Sequence, residues 1–252
     1  MSESQKQSKF PSEIIDLPSK GKLYSEEHPC SSGQIEIKYM TAREEDILTS
    51  QNLVKKGIVL DVLLNSLILT EGIDVDDLVI GDKNAVMVAA RILAYGPEYN
   101  ATINNPDTGE KIQHVFNLAD CPFKEISDDI KSNEFEFELP VSKNSIKFKL
   151  LTGKEEKQIE QELKSIQKTG SLISPELTTR LKYSIISVDG ETDKNKIGNF
   201  VQNMLSRDSL FIRNKMKDVS PDIELKQEME IGGEMVEVDI PLTIEFFWPS
   251  TN

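Results

Sequence analysis

One local pattern occurs twice in this chain: an alternating strand that runs into a Thr-x-x-Glu capping box. It occupies residues 34–44 and recurs at residues 145–155. In each case alternating apolar and polar side chains lead into a threonine, Thr41 or Thr152, that is followed three positions later by a glutamate. Threonine and glutamate at this spacing satisfy backbone amides at a helix start. Each pattern therefore predicts a strand followed by a helix.

The order of elements after the two capping boxes is also the same. Each box is followed by an apolar helical stretch, an acidic turn, a further helix and a strand–turn–strand pattern. These stretches are residues 60–69, 71–74, 82–94 and 99–118 after the first box, and residues 177–188, 189–191, 196–217 and 223–247 after the second. The order predicts an α+β fold with two similar modules, explained either by internal duplication or by chance similarity. We place an N-terminal extended arm at residues 1–33 and the modules, each of strand, helices and β-hairpin, at residues 34–139 and 140–252.

The N-terminal arm has a polar start and a turn-forming end. Residues 1–16 are rich in Ser, Lys and Glu, and we expect them to be mobile in isolation. Residues 17–24 contain a proline and a glycine that favour turns, and apolar side chains that favour contact. We expect this segment to lie on the protein's own body or on a neighbour, so that its removal leaves the body folded. The predicted partner-contact residues are Leu17, Pro18, Ser19, Gly21 and Tyr24.

Two further segments are predicted to contact partners. Residues 134–139 alternate Glu with an apolar residue, so one face of this strand is exposed to solvent or contacts a partner. Phe135 and Phe137 are the predicted contact residues of this strand. Near the end of the sequence, the aromatic residues Phe246, Phe247 and Trp248 follow one another. Aromatic side chains anchor interfaces and cores alike, so the alternative is a last strand that closes the second module's own core.

The charge and cysteine content restrict the class of protein. The formal net charge is -14, which argues against binding nucleic acid or an anionic membrane surface, because both need clustered Lys and Arg. Two cysteines do not make a disulfide framework and suit a reducing cytoplasm. The chain contains no apolar run of transmembrane length and no apolar signal core near Met1. We expect a protein that stays where it is made and acts on other proteins.

No catalytic motif is present in the sequence. Neither histidine lies near a serine or cysteine in a nucleophile motif, and no phosphate-binding loop or dinucleotide fingerprint occurs. The paired carboxylates Glu44-Glu45 and Glu155-Glu156 lie in first helical turns, where the helix dipole favours negative charge. Asp74 with its acidic neighbours is better explained as a helix cap than as part of a calcium loop. We therefore predict a protein that is not an enzyme and has no cofactor.

Two alternatives of other classes remain open. His28, Cys30, His114 and Cys121 supply four ligands of the kind that zinc prefers, so a small zinc-binding module or a metal-dependent enzyme is one of them. Their spacings match no zinc-finger pattern. The other is an acidic DNA mimic, which needs regularly spaced surface carboxylates, whereas those of this chain are scattered among turns and helix starts.

A set of motifs between residues 17 and 249 carries a family resemblance. The motifs are Leu17-Pro18-Ser19-x-Gly21-x-x-Tyr24, Met40-Thr41-Ala42-x-Glu44-Glu45-Asp46-Ile47-Leu48, Gly81-Asp82, Arg91-Ile92-Leu93-Ala94-Tyr95-Gly96-Pro97-Glu98-Tyr99, Leu151-Thr152 with Glu155-Glu156, Ser187-Val188-Asp189-Gly190, Arg207-Asp208 and Phe246-Phe247-Trp248-Pro249. In this order the chain resembles the baseplate hub and hub-assembly proteins of T-even-like contractile-tailed bacteriophages. Some members of this family have a Cys-Pro-x-Cys-like turn in the first hairpin, whereas residues 104–109 of this chain contain no cysteine.

The resemblance implies a late viral protein that helps to build the central hub of the tail baseplate. Such a protein is either a permanent subunit of the virion tail or an assembly chaperone that acts in the host cytoplasm and then leaves. Its partners would be other baseplate hub proteins, without nucleic acid or membrane, and no enzymatic activity is implied.

Overall fold

The computed structural model describes residues 10–104, 108–124, 126–170, 172–231, 233–241 and 244–247. Residues 12–117, which we call the first unit, contain four strands and four helices within the described ranges. These are β1 (Ser12–Asp16), β2 (Gln34–Lys38), α1 (Ala42–Thr49), α2 (Gln51–Lys56), α3 (Val59–Leu67), α4 (Ile80–Tyr95), β3 (Glu98–Asn104) and β4 (Lys111–Asn117).

A short strand, β5 (Phe123–Lys124), precedes the second unit, which we define as residues 135–239. Its elements are β6 (Phe135–Glu138), β7 (Ser145–Phe148), α5 (Gly153–Lys168), α6 (Glu176–Ser184), β8 (Ile185–Val188), α7 (Lys194–Gln202), α8 (Ser206–Val219), β9 (Asp222–Ile223), β10 (Lys226–Ile231) and β11 (Glu234–Asp239). Helices thus alternate with small antiparallel sheets, which confirms the predicted α+β class. Duplication of the units stays a prediction.

Each unit opens with an antiparallel strand pair. β1 pairs with β2, with Ser12 opposite Lys38, and β6 pairs with β7 in the same sense. The pairing of β1 shows that the expectation of a mobile segment over residues 1–16 does not hold for residues 12–16. Residues 1–9 lie outside the described part of the chain.

Both predicted capping boxes are present. At the start of α1, Glu44 accepts hydrogen bonds from the amide and hydroxyl of Thr41, at 3.0 and 2.6 Å, and from Lys38 Nζ at 2.8 Å. At the start of α5, Glu155 accepts from the same groups of Thr152 and, at 2.5 Å, from the lysine three positions before that threonine. The two helix starts therefore share a three-residue arrangement of lysine, threonine and glutamate.

In each unit, the segment that follows α3 or α6 returns to the opening strand pair. After α3, Ile68 lies beside Ile37 of β2, and after α6, β8 pairs with β7. The predicted helix over residues 177–188 thus ends at Ser184, where a β-branched Ile-Ile-Ser-Val run favours a strand. The predicted helix over residues 196–217 is two helices, because the Asn203 side chain bonds back to the preceding turn and ends α7.

Among the described residues there are three hydrophobic clusters, and the two larger ones divide the chain differently from the predicted modules. The second unit's core is formed by β7, α6, β8, α7 and α8, around residues such as Ile146 and Ile212. The last hairpin, β10–β11, packs instead into the first unit's core, where Met229 and Ile231 are buried together with Phe116. The predicted boundaries at residues 33 and 139 stay predictions, but strand pairing and core packing cross both of them.

Backbone contacts at two glycines hold the units close together. A Cβ atom on Gly81 of α4 would lie 1.9 Å from the carbonyl oxygen of Pro221, and one on Gly153 of α5 would lie 2.8 Å from Cα of Asp76. The amide of Gly153 also donates to the carbonyl of Leu78 at 3.1 Å. Residues with side chains could not approach so closely, so both positions require glycine.

Candidate functional site

The predicted contact residue Ser19 is bound by a buried aspartate of its own chain. Asp82, in the first turn of α4, accepts hydrogen bonds from the amide of Ser19 at 2.9 Å and from its hydroxyl at 2.6 Å. The hydroxyl of Tyr24 donates to the same carboxylate at 2.7 Å and accepts from the amide of Val79 at 3.1 Å. The Leu-Pro-Ser turn is therefore fixed to the start of α4.

The second unit contains the same arrangement. Leu139 and Pro140 follow β6 as Leu17 and Pro18 follow β1, and the next amide again donates to an aspartate in the first turn of a helix. This is the amide of Val141, which bonds Asp208 of α8 at 2.9 Å. The amide of the following serine donates to the same carboxylate at 3.0 Å. These contacts support the proposed duplication independently of the capping boxes.

The two aspartates differ in their electrostatics. Burial raises the pKa of Asp82 above its ordinary value, although the bonds from Ser19 and Tyr24 oppose this shift. Burial acts in the same direction on Asp208, but there the amide of Val141 and the side chain and amide of Ser142 outweigh it, and the pKa lies below its ordinary value. The surroundings of Asp208 thus favour its charged form more strongly than those of Asp82 do.

The other predicted contact residues of the arm also face the protein's own body. Leu17 is 1% exposed, and Pro18 and Gly21 are buried. Gly21 has φ +76°, and a Cβ atom there would lie 2.3 Å from the carbonyl oxygen of Ser31. The arm therefore lies on its own chain, which is one of the two placements expected from the sequence, and such burial argues against the expectation that residues 1–24 can be removed without unfolding.

The aromatic segment near the end of the described chain is part of the first core. Phe246 and Phe247 are 0% and 1% exposed, and Phe246 packs edge-on against Tyr99 with ring centroids 4.9 Å apart. The buried guanidinium of Arg91 donates to the carbonyl of Phe246 at 2.8 Å. Trp248 lies outside the described residues. Phe246 and Phe247 thus pack into a core, as the second of the two expectations for this segment stated. The core is that of the first unit, however, and not that of the second module.

The residues of the zinc alternative are distributed over different elements. Cys30 is buried, and its amide donates to Nδ1 of His28 at 3.1 Å. His114 lies in β4, and the buried Cys121 follows a short 3₁₀ turn after that strand. Burial raises the pKa of the Cys30 thiol to about 12. In the described part of the chain, no three His, Cys, Asp or Glu side chains are arranged to hold a metal ion.

Strand β6 is the predicted contact segment with an open backbone edge. The sheet order is β6-β7-β8, which leaves β6 at the edge. The inward side chains of β6 form an aromatic cluster, since Phe135 and Phe137 lie with ring centroids 5.0 and 5.4 Å from that of Phe148, and Phe137 lies 5.2 Å from Phe211. A groove of about 510 Å³ runs beside them, lined also by Ile130.

Several structural roles were not predicted from the sequence. Asp82, Asp208 and Arg91 each belong to a quoted motif, but none was assigned a contact, because their partners lie 63, 67 and 155 positions away. A signal was available: two Leu-Pro steps, at residues 17–18 and 139–140, are matched by two helix starts that carry an aspartate. No helix in the described ranges is long and apolar enough to cross a membrane.

Comparison with known proteins agrees with the predicted resemblance. No curated protein and no solved structure matches the chain. The model of the family described as T4 bacteriophage base plate protein matches residues 11–247, which include both units. The chain therefore belongs to the T4 bacteriophage base plate protein family, and this membership supports a structural role in the baseplate of a phage tail.

Proposed function

We propose that this protein is a structural or assembly protein of the baseplate hub that acts through protein–protein contacts and without catalysis. Family membership supports the baseplate role, and the motifs shared with hub and hub-assembly proteins favour the hub as the place of action. Its partners are other hub proteins, met in the host cytoplasm late in infection.

One observation favours a role in protein contacts. Strand β6 has an open edge beside an aromatic groove, and edge strands are sites at which another chain can add. The other predicted contact residues in the described ranges, by contrast, are hydrogen-bonded or buried within the protein's own fold.

Mass spectrometry of finished particles and of unassembled hub precursors tests this proposal. A permanent subunit is expected in both preparations, whereas an assembly factor is expected in precursors alone. Absence of the protein from hub precursors, with hub assembly unaffected when the protein is depleted, would overturn the proposed function.

A further inference from the structure

On its outer edge, β6 has backbone hydrogen-bonding groups that β7 does not bond. The amide of Leu139 donates to the carbonyl of Asn144, so hydrogen-bonded pairs between β6 and β7 fall at every second residue from there. The amides and carbonyls of Glu136 and Glu138 consequently point away from β7. In the described part of the chain no strand lies on that side of β6.

The inner face beside this edge has a groove whose apolar part is formed by aromatic and aliphatic side chains. Phe135, Phe137 and Phe148 line it together with Ile130 and Val219. Its volume of about 510 Å³ is within the range of pockets that bind ligands. A strand added to β6 would direct every second side chain over these rings.

The charged side chains of the groove have both signs. Lys131 and Lys215 line it together with Asp129 and Glu134, and Lys215 Nζ lies 5.7 Å from the centroid of the Phe211 ring. These charges favour neither sign at the inner positions, so the aromatic rings decide, and apolar side chains suit these positions best.

The outer face of β6 has the opposite charge. Glu134, Glu136 and Glu138 share this face, and Glu134 and Glu138 are 56% and 63% exposed. Their lysine partners, Lys147 and Lys143, belong to β7 and to the turn before it, so these two cations lie away from the open edge of β6. An added strand would place its outer side chains next to these carboxylates, where lysine or arginine is favoured.

A second copy of this chain is not expected to bind at the open edge of β6, because its charges are unfavourable there. Antiparallel pairing of two β6 strands about a twofold axis would set their glutamate rows against one another, and like charges at such positions are destabilising. The net charge of -14 adds long-range repulsion between copies.

We propose that the open edge of β6 receives an extended segment of another protein, in which apolar side chains alternate with lysine or arginine. This proposal rests on the proposed function, because it assigns the partner chemistry of the same contact site. The segment adds to the sheet through backbone hydrogen bonds, its apolar side chains enter the groove, and its cations lie beside Glu134, Glu136 and Glu138.

A peptide titration tests the proposal directly. The probe is a short peptide in which valine alternates with lysine, and the control peptide has the same composition with the valines and lysines in separate blocks. Fluorescence anisotropy with the full chain is expected to show binding of the alternating peptide, weaker at high salt, and at least about tenfold weaker binding of the block peptide. Equal binding of both peptides would reduce the site to nonspecific charge attraction and overturn the proposal.

Two matched proline variants separate the edge from the rest of the fold. Glu136→Pro removes an outward amide and leaves the bonds to β7 intact, so binding is expected to fall about tenfold or more. Ile14→Pro does the same on the outer edge of β1, where Ile14 is 66% exposed, and is expected to leave binding unchanged. Circular dichroism confirms that each variant folds.

A charge variant and an infection experiment complete the test. Glu136→Gln keeps the edge but weakens binding a few-fold and reduces its salt dependence; an unchanged salt dependence contradicts the proposed charge pairing. Unweakened peptide binding by a folded Glu136→Pro chain overturns the edge proposal, even if that chain is still found in hub precursors. Absence of the wild-type chain from those precursors rejects the hub function instead, whatever the peptide result.

Discussion

Two aspartates perform one structural task in chemically different surroundings. Asp82 accepts from one amide and two hydroxyls, whereas Asp208 accepts from two amides and from the side chain of Ser142. Both residues are 0% exposed. A hydroxyl group can rotate to donate or accept, but an amide only donates, so the additional amide makes the Asp208 site depend more strongly on an ionised acceptor.

Replacement of each aspartate by asparagine is expected to destabilise the protein by about 2 kcal/mol at pH 7, because an amide group replaces a charged acceptor. The loss in free energy of unfolding that each substitution causes, which we call its deficit, should change with pH in opposite directions for the two residues. For Asp208, whose folded pKa is lowered, the stabilisation is present above the unfolded pKa of about 3.9 and is lost as pH falls through the folded pKa. The deficit of Asp208→Asn therefore shrinks in acid.

For Asp82, whose folded pKa is raised, the folded state binds the proton more tightly. The wild-type protein thus gains relative stability as pH falls through the folded pKa towards the unfolded pKa, and the deficit of Asp82→Asn grows over that range. Urea unfolding at several pH values between about 2 and 7 measures both trends, because the change for Asp208→Asn falls below pH about 4 and that for Asp82→Asn above it. Parallel pH profiles for the two variants would contradict this assignment of the shifts.

At the scale of elements, the N-terminal segment is integral to the first core. β1 covers one edge of β2, and the turn that follows it buries Leu17 and satisfies Asp82. Loss of residues 1–24 would therefore leave a cavity in the core and an unpartnered buried carboxylate.

Removal of residues 1–24 is expected to lower the free energy of unfolding by at least about 4 kcal/mol, from the lost leucine and the unsatisfied aspartate together. Removal of residues 1–9 retains β1 and the turn, and serves as the matched control with a much smaller effect. Thermal unfolding followed by circular dichroism compares the two. Similar midpoints for both truncations would show that the arm is dispensable for folding.

Local patterns could be predicted from the sequence because their causes are local. The capping boxes at Thr41 and Thr152 were correct, since each needs only residues within one helical turn. The alternation of β6 likewise placed its phenylalanines and glutamates on opposite faces. The core that β10–β11 joins could not be predicted, because periodicity identifies an apolar face but not its partner. The open edge of β6 was predicted as a contact strand, but the groove depends on distant residues such as Val219.

At the scale of the whole molecule, ion pairs connect the units beside the two close-packed glycines. Lys157 of α5 bonds Asp61 at 2.8 Å and also pairs with Asp76, while Lys83 of α4 bonds Asp61 at 2.5 Å. Although burial alone would raise the pKa of Asp61, its bonds to the two lysines hold it below the ordinary value. The arrangement is partly buried and therefore less screened than an exposed pair.

Lys157→Met is expected to lower the free energy of unfolding by about 1 to 2 kcal/mol, because two partly buried aspartates lose a shared cation. Lys164→Met, on the same helix, breaks an exposed pair with Glu160 and should cost no more than about 0.5 kcal/mol. Urea unfolding in low and high salt measures the free energy of unfolding of both variants. High salt should reduce the difference between the effects of the two substitutions. An equal effect of the two substitutions would show that the ion pairs between the units contribute no more than an exposed pair does.

The return of the last hairpin to the first unit also determines when folding can be completed during translation. Leu17 and Phe116 leave the ribosome long before Met229, Ile231, Phe246 and Phe247, which share their core. The second unit contains its own apolar interior and needs none of these late side chains. The half of the protein that is synthesised first is therefore the half whose interior is sealed last.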